Sequence, residues 1–186
     1  MDDDRTIAML PDGLWSQQAV SPVDGVEAEP VQRVRIPASV VYSYTPGLAP
    51  TRFLRGLQEK KILGERCPVS GDIYLPPRGM SPAVGLPTTE QVELPHTGTV
   101  AGFCVVHIGF GVNAPPTPFC SALVLVDGAS VSVYGTIQEI PYDQVRTGMR
   151  VEAVWADQLE TSFENIKWWR PIDEPDVDAD EMKGHL

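Results

Sequence analysis

The stretch "ERCPVSGDIYLPPRGMSPAVG", residues 65–85, is punctuated like a metal knuckle. Cys67 is followed by Pro68 and by a glycine four residues on, and a second Pro-Gly run follows Arg78. A thiolate is a soft metal ligand and a nucleophile, but Cys67 is the only thiol in the stretch. The other cysteines, Cys104 and Cys120, stand at no metal-ligand spacing from it, and three thiols in 186 residues make no disulfide framework. They read as reduced and mostly buried. Cys104 and His107 lie three apart on an expected strand, where alternation sends them to opposite faces, so they make no nucleophile–base pair. Cys120 reads as a small core residue. His96, His107 and His185 all lie outside the Cys67 stretch. No Gly-x-Ser-x-Gly elbow, phosphate-binding Gly-Lys-Ser/Thr loop or His-Glu-x-x-His motif occurs. "GFGVNAPP" (109–116) reads as a hairpin or gate loop, with no helix behind it to hold a phosphate. Asp157, Glu160 and Glu164 read as a solvated face. Arg52, Arg55 and Arg78 are solvated or paired with a partner's acids on the simplest reading, and are otherwise the cations suited to a phosphorylated small ligand, because guanidinium binds phosphate in a bidentate fork.

The elements that must position these residues follow from pattern. In "APTRFLRGLQEKK", Phe53, Leu54, Leu57 and Lys61 share a helical face, and Thr51 is the expected N-cap of a helix over about 51–60. "KILGERC" and "DIYLPP" flank the turn "PVSG" as a small hairpin. Five strands follow: "EQVELP", "GTVAGFCVVHIGF", "FCSALVLVDG", "ASVSVYGTI" and "MRVEAVWAD". They suggest a small closed barrel of the OB type. "SFENIKWWRP" is expected as a final edge strand packing Trp168 or Trp169 over that barrel.

Charge divides the chain. The net charge is −11, with −6 in residues 1–31 and −5 in 171–186. Residues 32–78 carry +5 and residues 79–170 carry −5. This disfavours polyanion binding by the whole chain, although OB barrels elsewhere bind oligonucleotides; the barrel strands here are aliphatic and net acidic rather than basic and aromatic. The expected organisation is an acidic extended arm (1–30) whose Leu14 and Trp15 hint at a docking surface; extended segments, helix and ribbon (31–88); the barrel (89–158); and a C-terminal extension with an acidic tail (159–186). The acidic ends suit wrapping a neighbour or keeping the subunit soluble. No window approaches the ~18 apolar residues of a membrane span, and the N-terminal apolar run is too short for a signal peptide. The chain therefore reads as cytoplasmic.

The ordered set of "RFLRGLQEKKILGERC", "CPVSGDIYLPPRGMSPAVG", Thr97-Gly98-Thr99-Val100, Pro115-Pro116 and "YDQVRTGMRVEAVW" resembles a known family over about residues 50–157. That family joins a rubredoxin-like zinc ribbon to an OB-fold and sits beside thiolases and acyl-CoA hydratases. The flanks "VYSYTPGLAPTRFL" and "SFENIKWWRPIDEPDVDADEMKGHL" resemble its actinobacterial branch, linked to steroid and lipid catabolism. The resemblance implies a non-catalytic accessory subunit of a thiolase or aldolase acting on acyl-CoA thioesters, with a MaoC-like enoyl-CoA hydratase as the alternative partner and no cofactor of its own. The family's two Cys-x2-Cys knuckles fall here on Cys67 and Ser70, then on Ser81 and Val84. One ligand position of four survives, and structural zinc needs four N or S donors. A metal-free ribbon is expected, held by Tyr74, Leu75 and Val84 packing inward, by the stiffness of Pro68, Pro76, Pro77 and Pro82, and by a partner's surface.

Overall fold

The computed structural model describes residues 43–109, 115–178 and 180–182. The chain divides into two units, Met1–Tyr44 and Thr45–Leu186, and the architecture below belongs to the second. The acidic arm with Leu14 and Trp15, most of the "GFGVNAPP" loop and His185 lie outside the described residues.

Helix α1 spans Leu48–Gln58 and buries Phe53, Leu54 and Leu57, the face that periodicity predicts. Full burial of such side chains stabilises by ~1.5–3 kcal/mol each. The helix starts three residues before the expected cap. Gly47 holds the N-cap position, and Thr51 Oγ1 donates instead to Pro46 O at 3.4 Å. Pro50 is tolerated because the first-turn amides have no intrahelical acceptor anyway. The helix also ends earlier: Lys60 takes a left-handed φ of 57°, and Lys61 lies beyond the helix, paired with Glu59 at 2.7 Å.

Strands β1 (Ile62–Arg66), β2 (Ile73–Tyr74) and β3 (Glu90–Leu94) form a three-stranded antiparallel sheet in the order β2-β1-β3. The β1–β2 hairpin is the expected one. Strand β3, "EQVEL", was expected in the barrel and instead pairs with β1 from Ile62↔Leu94 to Arg66↔Glu90. Leu94 and Ile62 are buried at one end of that pairing, and Arg66 Nε meets Glu90 Oε1 at 3.0 Å at the other. Pro95, which has no N–H to donate, follows β3 directly and separates it from the barrel.

The remaining strands are β4 (Thr97–Val106), β5 (Phe119–Val126), β6 (Val133–Ile137), β7 (Arg150–Trp155) and β8 (Ile166–Pro171). They close into a five-stranded OB-type barrel in the order β4-β5-β6-β8-β7. "IKWWRP" is thus an integral barrel strand rather than an added edge. Trp169 is 1% exposed and fills the barrel, while its neighbour Trp168 turns outward and donates Nε1–H to Glu139 at 2.8 Å. Gly135 makes room for it, since a Cβ there would lie 2.6 Å from the Trp169 indole. The parallel β6–β8 contact is reduced to the single pair Ile137↔Trp169, so the barrel has one short seam.

Two ties fasten the pieces. Ser130, in the β5–β6 turn, bonds both sides of Ile73: the Ile73 N–H donates to its hydroxyl at 3.0 Å, and its own N–H donates to Ile73 O at 2.8 Å. This joins ribbon to barrel. The acidic tail folds back on β7: Arg150 pairs with Asp127 and Glu174, Arg146 with Asp176, and the Val177 N–H donates to Gly148 O at 2.9 Å. Hydrogen bonding to Arg150 holds the Asp127 carboxyl below the usual carboxylate range. Glu174 and Asp176 of the tail are therefore spent within the chain.

Candidate functional site

The Cys67 stretch folds as two matching knuckles. In the first, the Cys67 N–H donates to Asp72 O at 2.7 Å and the Gly71 N–H donates to Cys67 O at 3.1 Å. In the second, the Ser81 N–H donates to Leu86 O at 2.8 Å and the Gly85 N–H donates to Ser81 O at 2.9 Å. Gly71 and Gly85 take φ of 79° and 68°, conformations that a side chain rarely permits. Cys67 and Ser81 occupy equivalent positions, at 1% and 0% exposure.

What lies between the knuckles is a hydrogen-bonded cluster. The Ser70 N–H approaches Cys67 Sγ at 3.5 Å, and Tyr74 Oη lies 3.2 Å from Ser81 Oγ. Hydrogen bonds from the Ser70 hydroxyl, the Ser81 hydroxyl and the Ser70 and Val69 amides bring the Cys67 thiol down to about 6, against the opposing effect of burial. The single Ser70 proton is shared with the Asp72 carboxylate, which accepts it at 2.5 Å. The residues at the four knuckle positions do not fit zinc. They offer one thiol, two hydroxyls and the hydrocarbon Val84. Val84 does not pack inward as expected: it is 43% exposed, whereas Tyr74 and Leu75 are buried. Among the described residues, no group of three or more His, Cys, Asp or Glu side chains could hold a metal ion.

The second knuckle has a clip with no signature in the sequence. Glu65, 2% exposed, points its carboxylate at the loop that enters and leaves it. Oε2 accepts from the Gly79 N–H at 3.1 Å and from the Thr88 hydroxyl at 2.8 Å, and Thr88 is itself buried.

The three arginines do not converge. Arg52 and Arg55 line a shallow depression together with Lys61, Glu59 and Glu93. Arg78 lines a different, smaller cleft with Tyr74, Pro76 and Val131. Cys104 is exposed on β4 in register with Ser121, while His107 lies beyond the strand with its ring 6.1 Å from Tyr142. His96 accepts from Trp155 Nε1–H at 3.3 Å. Burial pushes the Cys120 thiol up to about 11, as suits a core residue. Asp157, Glu160 and Glu164 are exposed.

The outer face of β4, β5 and β6 is a second feature. In-register rows run Gly102–Leu123–Tyr134, Cys104–Ser121–Thr136 and Val106–Phe119, and none of these eight residues is charged. Leu123 is 48% exposed and Tyr134 70%. Depletion of charge with exposed aliphatic and aromatic groups is the composition of a protein interface core.

Comparison with known proteins agrees with this architecture. Residues 91–156 match the family model described as ChsH2, C-terminal OB-fold domain. The chain is similar to the structure titled "Ltp2-ChsH2(DUF35) aldolase", with 24% identity over 67% of this chain and 95% of that one and a TM-score of 0.52. It is also similar to a protein of unknown function from the DUF35 family of Sulfolobus solfataricus, with 19% identity, 67% and 84% coverage and a TM-score of 0.50. No curated protein matches the sequence. At these identities the structural likeness shows the fold. Among the described residues, no helix is long and apolar enough to cross a membrane.

Proposed function

We propose that this chain is an accessory subunit of an aldolase- or thiolase-type enzyme acting on acyl-CoA thioesters, whose partner carries the catalysis. The observation that carries the reading is the shared architecture. The solved chain that it resembles over 95% of that chain's length is titled as part of an aldolase with Ltp2. The uncharged outer face of β4–β5–β6 gives such a partner a surface to cover. The knuckle pair is, on this reading, a zinc ribbon that works without metal, two of its ligand positions, Cys67 and Ser81, being held in a hydrogen-bonded cluster with Tyr74. Steroid side-chain or lipid degradation is the favoured pathway. Arg52, Arg55 and Arg78 are the residues we assign to contacts with coenzyme A phosphates or partner acids, at two separate places on the surface.

The test is co-expression with the aldolase- or thiolase-type enzyme encoded nearest to it, followed by size-exclusion chromatography and assay. Co-elution that Leu123→Asp disrupts, with enzyme activity falling alongside, is the expected result. Separate elution, with the enzyme fully active alone, refutes the accessory role.

A further inference from the structure

The short β6–β8 seam opens onto a cavity of about 390 Å³ between α1, the ribbon and the barrel. Its walls include Phe53, Tyr134, Phe163, Trp168 and Trp169, and no charged side chain lines it. Phe53 of α1 and Phe163 of the turn before β8 lie ring to ring at 5.5 Å. Trp168 Nε1–H is already committed to Glu139. Ser132, the residue just before β6, also lines the cavity. Its Oγ is the one buried side-chain nitrogen or oxygen among the described residues without a hydrogen-bond partner. A buried hydroxyl without a partner is a cost that a ligand oxygen would remove. Small-molecule sites have this composition: several hundred Å³, mostly apolar and aromatic, with a few placed polar groups.

We propose that this cavity binds an uncharged apolar molecule, or the apolar portion of a larger one, carrying one oxygen that the Ser132 hydroxyl, which has no bond to give up, engages by rotating about χ1 into the cavity. The volume corresponds to roughly 13 waters at ~30 Å³ each, so the bound portion has on the order of a dozen non-hydrogen atoms. The aromatic walls take an aliphatic or ring-shaped body. A carboxylate is excluded because nothing in the lining compensates its desolvation.

The site lies within one chain and can be tested on that chain alone, whatever enzyme it partners. The probe is 1-octanol, titrated into the full chain while the indole N–H resonances of Trp168 and Trp169 are followed by NMR. Saturable shifts at these two indoles are expected, with octanoate binding at least tenfold more weakly at neutral pH. Ser132→Ala should weaken octanol binding about 5- to 10-fold. The proposal is overturned by any of three results: no saturable shift up to the solubility limit of octanol, octanoate binding as tightly as octanol, or unchanged affinity in Ser132→Ala.

Discussion

Replacing Glu65 should separate what holds the ribbon from what merely surrounds it. Glu65→Ala deletes the acceptor for the Gly79 N–H and the buried Thr88 hydroxyl. Each donor left unpaired costs about 1–3 kcal/mol, and release of a buried carboxylate returns part of that. The net loss is about 3 kcal/mol, a fall in Tm of roughly 6–12 °C for a domain of this size. Glu65→Gln keeps the volume and one acceptor oxygen, so it should stay within about 1 kcal/mol of the parent. Thermal and urea unfolding of the three proteins gives the stabilities. Amide exchange at Thr88, which donates to Gly79 O at 3.1 Å, reports the second knuckle directly and should accelerate only in the alanine variant. If Glu65→Gln loses as much as Glu65→Ala, the acceptor argument fails. If Glu65→Ala loses less than about 0.5 kcal/mol, the clip does not hold the knuckle.

Two further outcomes follow from the geometry. Because the folded Cys67 thiol titrates at about 6, below its unfolded value of 9.0, its contribution to stability is complete only above pH 9. Stability should therefore rise with pH between about 6 and 9, and urea titrations across that window should show the slope flattened in Cys67→Ala; equal slopes in both proteins would contradict the thiolate cluster. Gly135→Ala places a Cβ 2.6 Å from the indole of the buried Trp169, so the ring has to leave its packed position to admit the methyl. A loss of about 1–3 kcal/mol by urea unfolding is expected, and a neutral result would mean that the seam relaxes around the extra methyl.

How far the fold was legible depended on whether a feature was local. The helix face of Phe53, Leu54 and Leu57 follows from spacing alone, and the knuckles follow from glycines where the chain must take positive φ. The partners of strands did not follow. Alternation marks "EQVEL" as a strand but not which sheet receives it, and only Pro95 hints that it stops short of the barrel. In "IKWWRP" two adjacent tryptophans cannot both point inward, and the pattern left open whether the inner one packs onto a barrel or completes it. Val84 was placed inside because the family's pattern puts a ligand there; without a metal to draw it in, an isolated valine on a tight loop stays in solvent. The tail read as a free acidic surface because Arg146 and Arg150 lie more than twenty residues upstream of Glu174 and Asp176. Glu65 carries no signature because its partners, a backbone amide and a threonine, are chosen by the fold. The cavity was invisible for the same reason, being assembled from α1, β6 and β8.

Closure of the barrel by β8 has a consequence for how the molecule comes into being. Strands β4 to β7 are complete by Trp155, yet β6 and β7 each lack a neighbour until Ile166–Pro171 has left the ribosome. Until then two rows of backbone amides and carbonyls stand unpaired, an invitation to other nascent chains. A chain stopped at residue 158, where strand counting alone would place the end of the barrel, would carry those open edges permanently and would lack Trp169, the plug of its own interior.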